Sequence, residues 1–299
     1  MKSLFSLLVH FSISLVSSLR PLNLFIIILT QTLTSVFLLD NPLCISKLFK
    51  IIIKNNCTDF YFFVLATVLS AAAGYILNNI FDRKIDLINS PKRGLFTEKN
   101  LSFLCFLSIL FFGIALFLSF LISLQIGIYV FLSIALLIFY AKYSKKIGIL
   151  KPILVSFLTS FSIILVGFLA SFDSSILYCF AIWAFLLSML REFIKDFEDL
   201  EGDSSQNSFT SVIHLGKRNS ILFLNFLSIL LILSILISVF ISTNTILNSV
   251  HKMVMIILVG IFLFLLNNKQ FHSSNKPYKK LSLFCKIMML VGILGMMVY

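Results

Sequence analysis

The run Asn78-Asn79-Ile80-Phe81-Asp82-Arg83-Lys84-Ile85-Asp86 sets an amide and two carboxylates at four-residue intervals, and Glu192, Asp196, Asp199 and Asp203 step by four, three and four. At helical pitch each set falls on one face, about one turn apart. The two segments hold eight of the chain's twelve Asp and Glu residues. Like charges stacked at this spacing repel, so a helix carrying them loses stability unless cations sit between them. Hard oxygen ligands in this number suit magnesium, which keeps several waters and prefers a few carboxylates plus phosphate oxygens to a full protein cage. Two such faces opposed across a cavity would grip one diphosphate through bridging magnesium ions. The metal would neutralise charge developing on the leaving group. Arg83, Lys84, Lys92, Arg93, Lys145, Lys146, Arg191 and Lys195 add positive charge on the same side.

The elements that must position these groups are membrane-spanning. The chain has 299 residues, of which 59% are hydrophobic and 12% charged, with mean hydropathy +1.06. Apolar runs near 18 residues read as transmembrane helices. Nine are expected, at Leu22–Leu38, Phe60–Leu77, Leu101–Ser119, Leu124–Tyr140, Ile153–Ala170, Ile176–Leu190, Ile221–Ile241, Met253–Leu266 and Leu281–Val298. The third and fourth are nearly continuous, and Ser123, Gln125 and Gly127 mark a hairpin between them. The sixth and eighth are short and should extend into their polar flanks. The first acidic run then reads as a helical extension of the second span. The expected fold is all-α, a polytopic bundle of nine helices around a central cavity. Residues 1–20, with Ser3, Ser6, His10, Ser14 and Ser17 at three- and four-residue spacing, read as an amphipathic helix in the interface, and 21–299 as the nine-helix domain. A signal peptide is the rival for that segment, but no small-residue cleavage site follows.

Nine crossings place the N-terminal stretch and the loops after spans 2, 4, 6 and 8 on one side. That side carries nineteen Lys and Arg; the other carries Lys47, Lys50, Lys54 and Lys252, and Lys286 lies within the ninth span. The excess of basic residues puts both acidic segments in the cytoplasm, with a bacterial inner membrane as the expected setting. The acidic segments follow spans four helices apart in the same orientation, as in a parallel repeat built around a shared cavity. A hydrocarbon-lined cavity with diphosphate at its mouth suits a polyprenyl diphosphate.

Other classes fit less well. The net charge of +12 reads as cationic loops against anionic lipid rather than nucleic-acid binding, because no DNA- or RNA-binding motif accompanies it. Five cysteines form no CxxC pair, and Cys44 and Cys57 share an outer loop as a chance pair of thiols. His10, His214, His251 and His272 are scattered and read as interfacial or solvated, and Trp183 as packing. A secondary transporter would carry charges at the midplane, whereas these acids gather at one mouth. A CDP-alcohol phosphotransferase would need a DGxxAR-type segment, which is absent.

The ordered motifs resemble the UbiA-type intramembrane prenyltransferase superfamily over almost the whole chain. Arg20-Pro21-Leu22-Asn23 opens the first span as that family does. Ala73-Gly74-Tyr75 leads into Asn78-Asn79-x-x-Asp82-x-x-x-Asp86, followed by Asn89, Pro91 and Arg93, as in its first aspartate motif. Tyr140 with Lys145 is similar to its tyrosine–lysine pair. Arg191-Glu192, Lys195-Asp196, Glu198-Asp199 and Gly202-Asp203 resemble its second motif, with Thr210 and Gly216 beyond. The resemblance implies magnesium-dependent transfer of a prenyl group to a lipid-embedded or aromatic acceptor. On it, Asp82, Asp86, Asp199 and Asp203 bind Mg2+, with Asn78 and Asp196 assisting. Arg83, Arg93, Lys145, Arg191 and Lys195 meet the diphosphate, Arg20 and Asn23 line the substrate, and Tyr140 faces the reacting carbon. The stretch from Ala66 to Arg93 and the Lys195–Asp203 segment most resemble the bacterial branch similar to geranylgeranylglyceryl-phosphate geranylgeranyltransferases, which implies a glycerol-phosphate lipid acceptor; an aromatic acid of quinone synthesis, such as hydroxybenzoate or dihydroxynaphthoate, is the alternative. Asn79, Gly94, Glu98 and Lys151-Pro152 depart from the family pattern. These departures put the closure of the loop after Arg93 and the acceptor contacts in doubt.

Overall fold

The computed structural model describes residues 11–12, 14–38, 56–170, 174–205, 208–241, 245–272 and 276–299. The helices are α1 (Pro21–Leu33, continued by a π turn over Thr34–Leu38), α2 (Asn56–Asn89), α3 (Pro91–Lys99), α4 (Leu101–Ile122), α5 (Leu124–Tyr143) and α6 (Leu150–Leu169). After these come α7 (Ser175–Glu198), α8 (Leu200–Ser205), α9 (Ser211–Ile241), α10 (Ile246–Asn267), α11 (Lys269–His272) and α12 (Pro277–Leu294, ending in a 3-10 turn over Gly295–Val298). Among the described residues nine helices are long and apolar enough to cross a membrane, in the order expected from the sequence.

Local chemistry sets the boundaries. Ser123 is extended, and its hydroxyl accepts from the Ile126 N–H, which makes the hairpin between α4 and α5. Ser174 and Thr245 cap α7 and α10 in the same manner, satisfying N–H groups that a helix start leaves orphaned. The short sixth and eighth spans do extend into polar flanks, as α7 and α10. With 34 residues α2 is about 50 Å long, well beyond a hydrocarbon core of about 30 Å. Its apolar part can cross while its last three turns carry Asn78, Asp82 and Asp86 into a polar environment.

The chain forms two units. One comprises Thr58–Lys145 with the N-terminal stretch to Ile28 and residues 201–207; the other comprises Leu29–Cys57, Lys146–Leu200 and Ser208–Tyr299. In the first, α4 packs on α5, and Phe11 meets the rings of Phe96 and Phe103 at 5.5 and 5.8 Å. Residues 11–12 and 14–18 are helical; Ser3, Ser6 and His10 lie outside the described residues. In the second, α7 is the central helix, packed against α6, α9 and α12. Leu190, Phe193 and Ile194 of α7 are buried with Leu224, Leu231, Phe262 and Met288. Large apolar side chains such as Phe106, Ile109, Phe117 and Phe240 point outward, as lipid-facing surfaces require.

One expectation is corrected here. His251 is not solvated: it is buried among Phe180, Trp183 and Tyr299, with its imidazole lying over Gly295, where no side chain would fit. Lys252 is also buried, 5.6 Å from the Tyr299 ring centroid and donating to the Ser238 carbonyl at 3.3 Å. Cys44, Lys47, Lys50, Lys54 and Asp173, and the side chains of Cys57 and His272, lie outside the described residues.

Candidate active site

The last turns of α2 hold the first cluster. Asn78 donates its amide to Asp82 Oδ2 at 2.9 Å, the i to i+4 contact that helical register dictates. Both are buried. Asn78 Oδ1 is buried without a hydrogen-bond partner, and among the described residues no Lys or Arg is paired with Asp82. One turn on, Asp86 takes a two-pronged contact from Arg93, Nε to Oδ2 at 2.9 Å and a terminal nitrogen to Oδ1 at 2.6 Å. A hairpin at Ser90 makes this possible by folding α3 back on the end of α2. Gly94 permits the approach: a Cβ there would stand 2.7 Å from the Leu87 backbone nitrogen. The departure at Gly94 therefore has a steric reason, since α3 could not deliver Arg93 to Asp86 over a side chain.

Asn79 donates to the Ser18 carbonyl at 3.1 Å. A carboxylate in that place could only oppose the carbonyl oxygen, which accounts for the amide. Arg20, with φ of 53° just before Pro21, lays its guanidinium 5.0 Å from the Tyr75 ring centroid. The Asn23 backbone bonds to the Arg20 carbonyl. Arg83 turns back to the Ile80 carbonyl at 3.0 Å.

Within the same unit the structure brings in part of the second acidic segment. Lys145 donates to Asp203 Oδ1 at 2.7 Å, and Asp203 is fully buried. Gly202 lies so close to Asn89, at the end of α2, that any side chain on it would overlap the Asn89 amide. Asp203 and the first cluster thus share a unit although more than a hundred residues separate them in sequence. Tyr140 is half-buried one turn before Ser144, whose N–H bonds to its carbonyl.

In the other unit, Arg191 pairs with Glu192 at 2.8 Å, Lys195 is half-buried, and Asp199 caps the C-terminus of α7 with its N–H on the Lys195 carbonyl at 2.9 Å. Asp196, expected beside the metal, has other company. One oxygen is paired with Lys151; the other accepts from the Ser211 hydroxyl and, at 3.2 Å, from the Ser211 N–H. Lys151 and Ser211 were not among the expected site residues. A lysine beginning an apolar helix with no acid three or four residues away was the signal that it needed a distant carboxylate.

Among the described residues no three His, Cys, Asp or Glu side chains form a group able to hold a metal ion alone. The donor set still fits magnesium, which takes few protein carboxylates and fills its shell with water and phosphate. Asp82 without a cation and the orphaned Asn78 Oδ1 are oxygen donors of that kind.

Residues 53–291 match the UbiA prenyltransferase family. A digeranylgeranylglyceryl phosphate synthase of Sulfolobus acidocaldarius is 32% identical over 165 residues, covering 54% of this chain and 59% of that relative, so the chain spans under two thirds of its length. A solved structure of a digeranylgeranylglyceryl phosphate synthase is similar at 25% identity and TM-score 0.67, covering 96% of this chain and 98% of the other. The fold is also that of a UbiA homologue from Archaeoglobus fulgidus bound to GPP and Mg2+, at 14% identity and TM-score 0.63, covering 96% and 100%. The chain belongs to the UbiA prenyltransferase family.

Proposed function

We propose that the protein is a magnesium-dependent prenyltransferase that moves a prenyl group from a polyprenyl diphosphate to geranylgeranylglyceryl phosphate or a similar glycerol-phosphate lipid. The observation that carries this is the buried Asp82, held among the described residues by an amide whose own oxygen lacks a partner. Such a carboxylate calls for a cation from outside the chain. Asp82, Asp86, Asp199 and Asp203 would hold magnesium, which when bound neutralises charge developing on the leaving diphosphate.

The chain's own groups do the rest. Arg93 and Lys145 are 27% and 18% exposed and now neutralise Asp86 and Asp203. Being within reach of solvent, they can turn from those carboxylates to diphosphate oxygens as substrate arrives. Arg83, Arg191 and Lys195 would add positive charge for diphosphate, and Arg20 and Asn23 would line the donor. Tyr140 offers a ring face to the allylic carbon, where positive charge is attracted to the π cloud. The apolar spans hold the prenyl tail and keep water from the cation. The excess of Lys and Arg on one side supports a mouth on the cytoplasmic side.

An acceptor panel tests the reading. Protein in lipid receives labelled geranylgeranyl diphosphate and Mg2+ with either geranylgeranylglyceryl phosphate or hydroxybenzoate and dihydroxynaphthoate. Label on the phosphoglycerol ether is expected. Label only on an aromatic ring would replace the lipid acceptor, and no transfer to any acceptor with several donor lengths would overturn the activity.

A further inference from the structure

Lys151 and Asp196 form an ion pair whose side chains are 2% and 0% exposed. Lys151 lies in the first turn of α6, where the helix dipole disfavours a cation, and the carboxylate beside it offsets that cost. The second Asp196 oxygen takes the N–H and hydroxyl of Ser211, the first residue of α9. A negative group at a helix start is favourable. Asp196 is thereby neutralised by one helix and caps another.

Those contacts bracket residues 197–210, the segment that contains Asp199 and Asp203. A second tie closes the same segment: the Gly148 N–H bonds to the Phe209 carbonyl at 3.0 Å, and Gly148 pairs with Thr210. A divalent cation at Asp196 would stand against a buried ammonium, and like charges repel strongly where water cannot screen them.

We propose that Lys151 is a built-in counter-cation and that Asp196 is a positioning residue. It holds both ends of the segment bearing Asp199 and Asp203, and it does not bind magnesium. The assignment rests on the function proposed above for what the segment does; the clamp itself does not depend on it.

The test uses the full chain in detergent, with Mn2+ and inorganic diphosphate as the spectroscopic probe, plus thermal midpoints and steady-state kinetics. K151M and D196N alone should each lower the midpoint by more than about 5 °C, and the charge-neutral double variant should regain most of that loss. The double variant should bind as many Mn2+ ions as the parent, with affinity within about 3-fold. S211A should keep Mn2+ binding and lower kcat by about 10-fold while the donor KM stays within about 2-fold. Loss of a Mn2+ ion in the double variant would make Asp196 a ligand and sink the proposal. Failure of the double variant to recover stability would remove Lys151 as counter-cation, and an unchanged kcat in S211A would remove the positioning role. If D82N binds Mn2+ as the parent does, the proposed function fails instead, and the rescue still decides the clamp.

Discussion

Asp82 and Asp196 each lie near the polar end of a long helix, and each is buried, yet the protein provides for them in opposite ways. Asp82 receives one neutral amide. Asp196 receives an ammonium, a hydroxyl and a backbone N–H. Between these extremes stand Asp86 and Asp203, whose partners Arg93 and Lys145 reach solvent while Lys151 does not. Similar spacing of carboxylates therefore hides three conditions: incomplete, exchangeable and finished. On the proposed function, only the first two would leave room for an ion and a diphosphate. On this proposal, burial of the partner cation, rather than of the acid, is what would separate a ligand from a structural post.

The contrast is sharpest in D82N. Turnover should fall by about 10³-fold, while the thermal midpoint stays level or rises, because the variant removes an unpaired buried charge. A midpoint falling as D196N's is expected to fall would erase the distinction between the two acids. Next in size is R93M. Its loss leaves Asp86 without its two-pronged partner, and stability should drop by about 3 kcal/mol in the absence of ligand, read by denaturation in detergent. Mg2+ with inorganic diphosphate should restore part of that in R93M, because the metal can take Arg93's place; no restoration would argue that Asp86 is finished like Asp196.

G202A should be milder. The added methyl forces the Asn89 amide aside, for an expected cost of about 1–3 kcal/mol, with donor KM rising more than stability falls. Smallest of all is D59N, at the other end of α2 and about 35 Å from Asp82. Its activity and midpoint should match the parent within about 0.5 kcal/mol. A large loss there would mean that carboxylates on α2 matter by charge alone rather than by position.

Much of this was legible in the chain. Nine apolar runs, the hairpin at Ser123 and the i, i+4 register of Asn78 and Asp82 are local consequences of hydropathy and helical pitch. Arg93 was legible as a basic neighbour but not as the partner of Asp86, because that depends on α3 folding back over Gly94. His251 was misread for a related reason: a lone histidine near a span end looks solvated until Phe180, Trp183 and Tyr299 are seen around it.

The sequence by itself determined the number of crossings, the turns on which the acids sit and the family, because repeats in hydropathy and motif order are properties of neighbours along the chain. Only the tertiary structure decided which carboxylates keep a cation of their own. Lys151 and Asp196 are 45 residues apart, and Lys145 and Asp203 are 58. No local pattern pairs them. The packing of α6 and α9 on α7 brings Lys151 and Ser211 to Asp196, and within the other unit the placement of residues 201–205 brings Asp203 to Lys145; each environment determines how far its carboxylate is already satisfied by the chain.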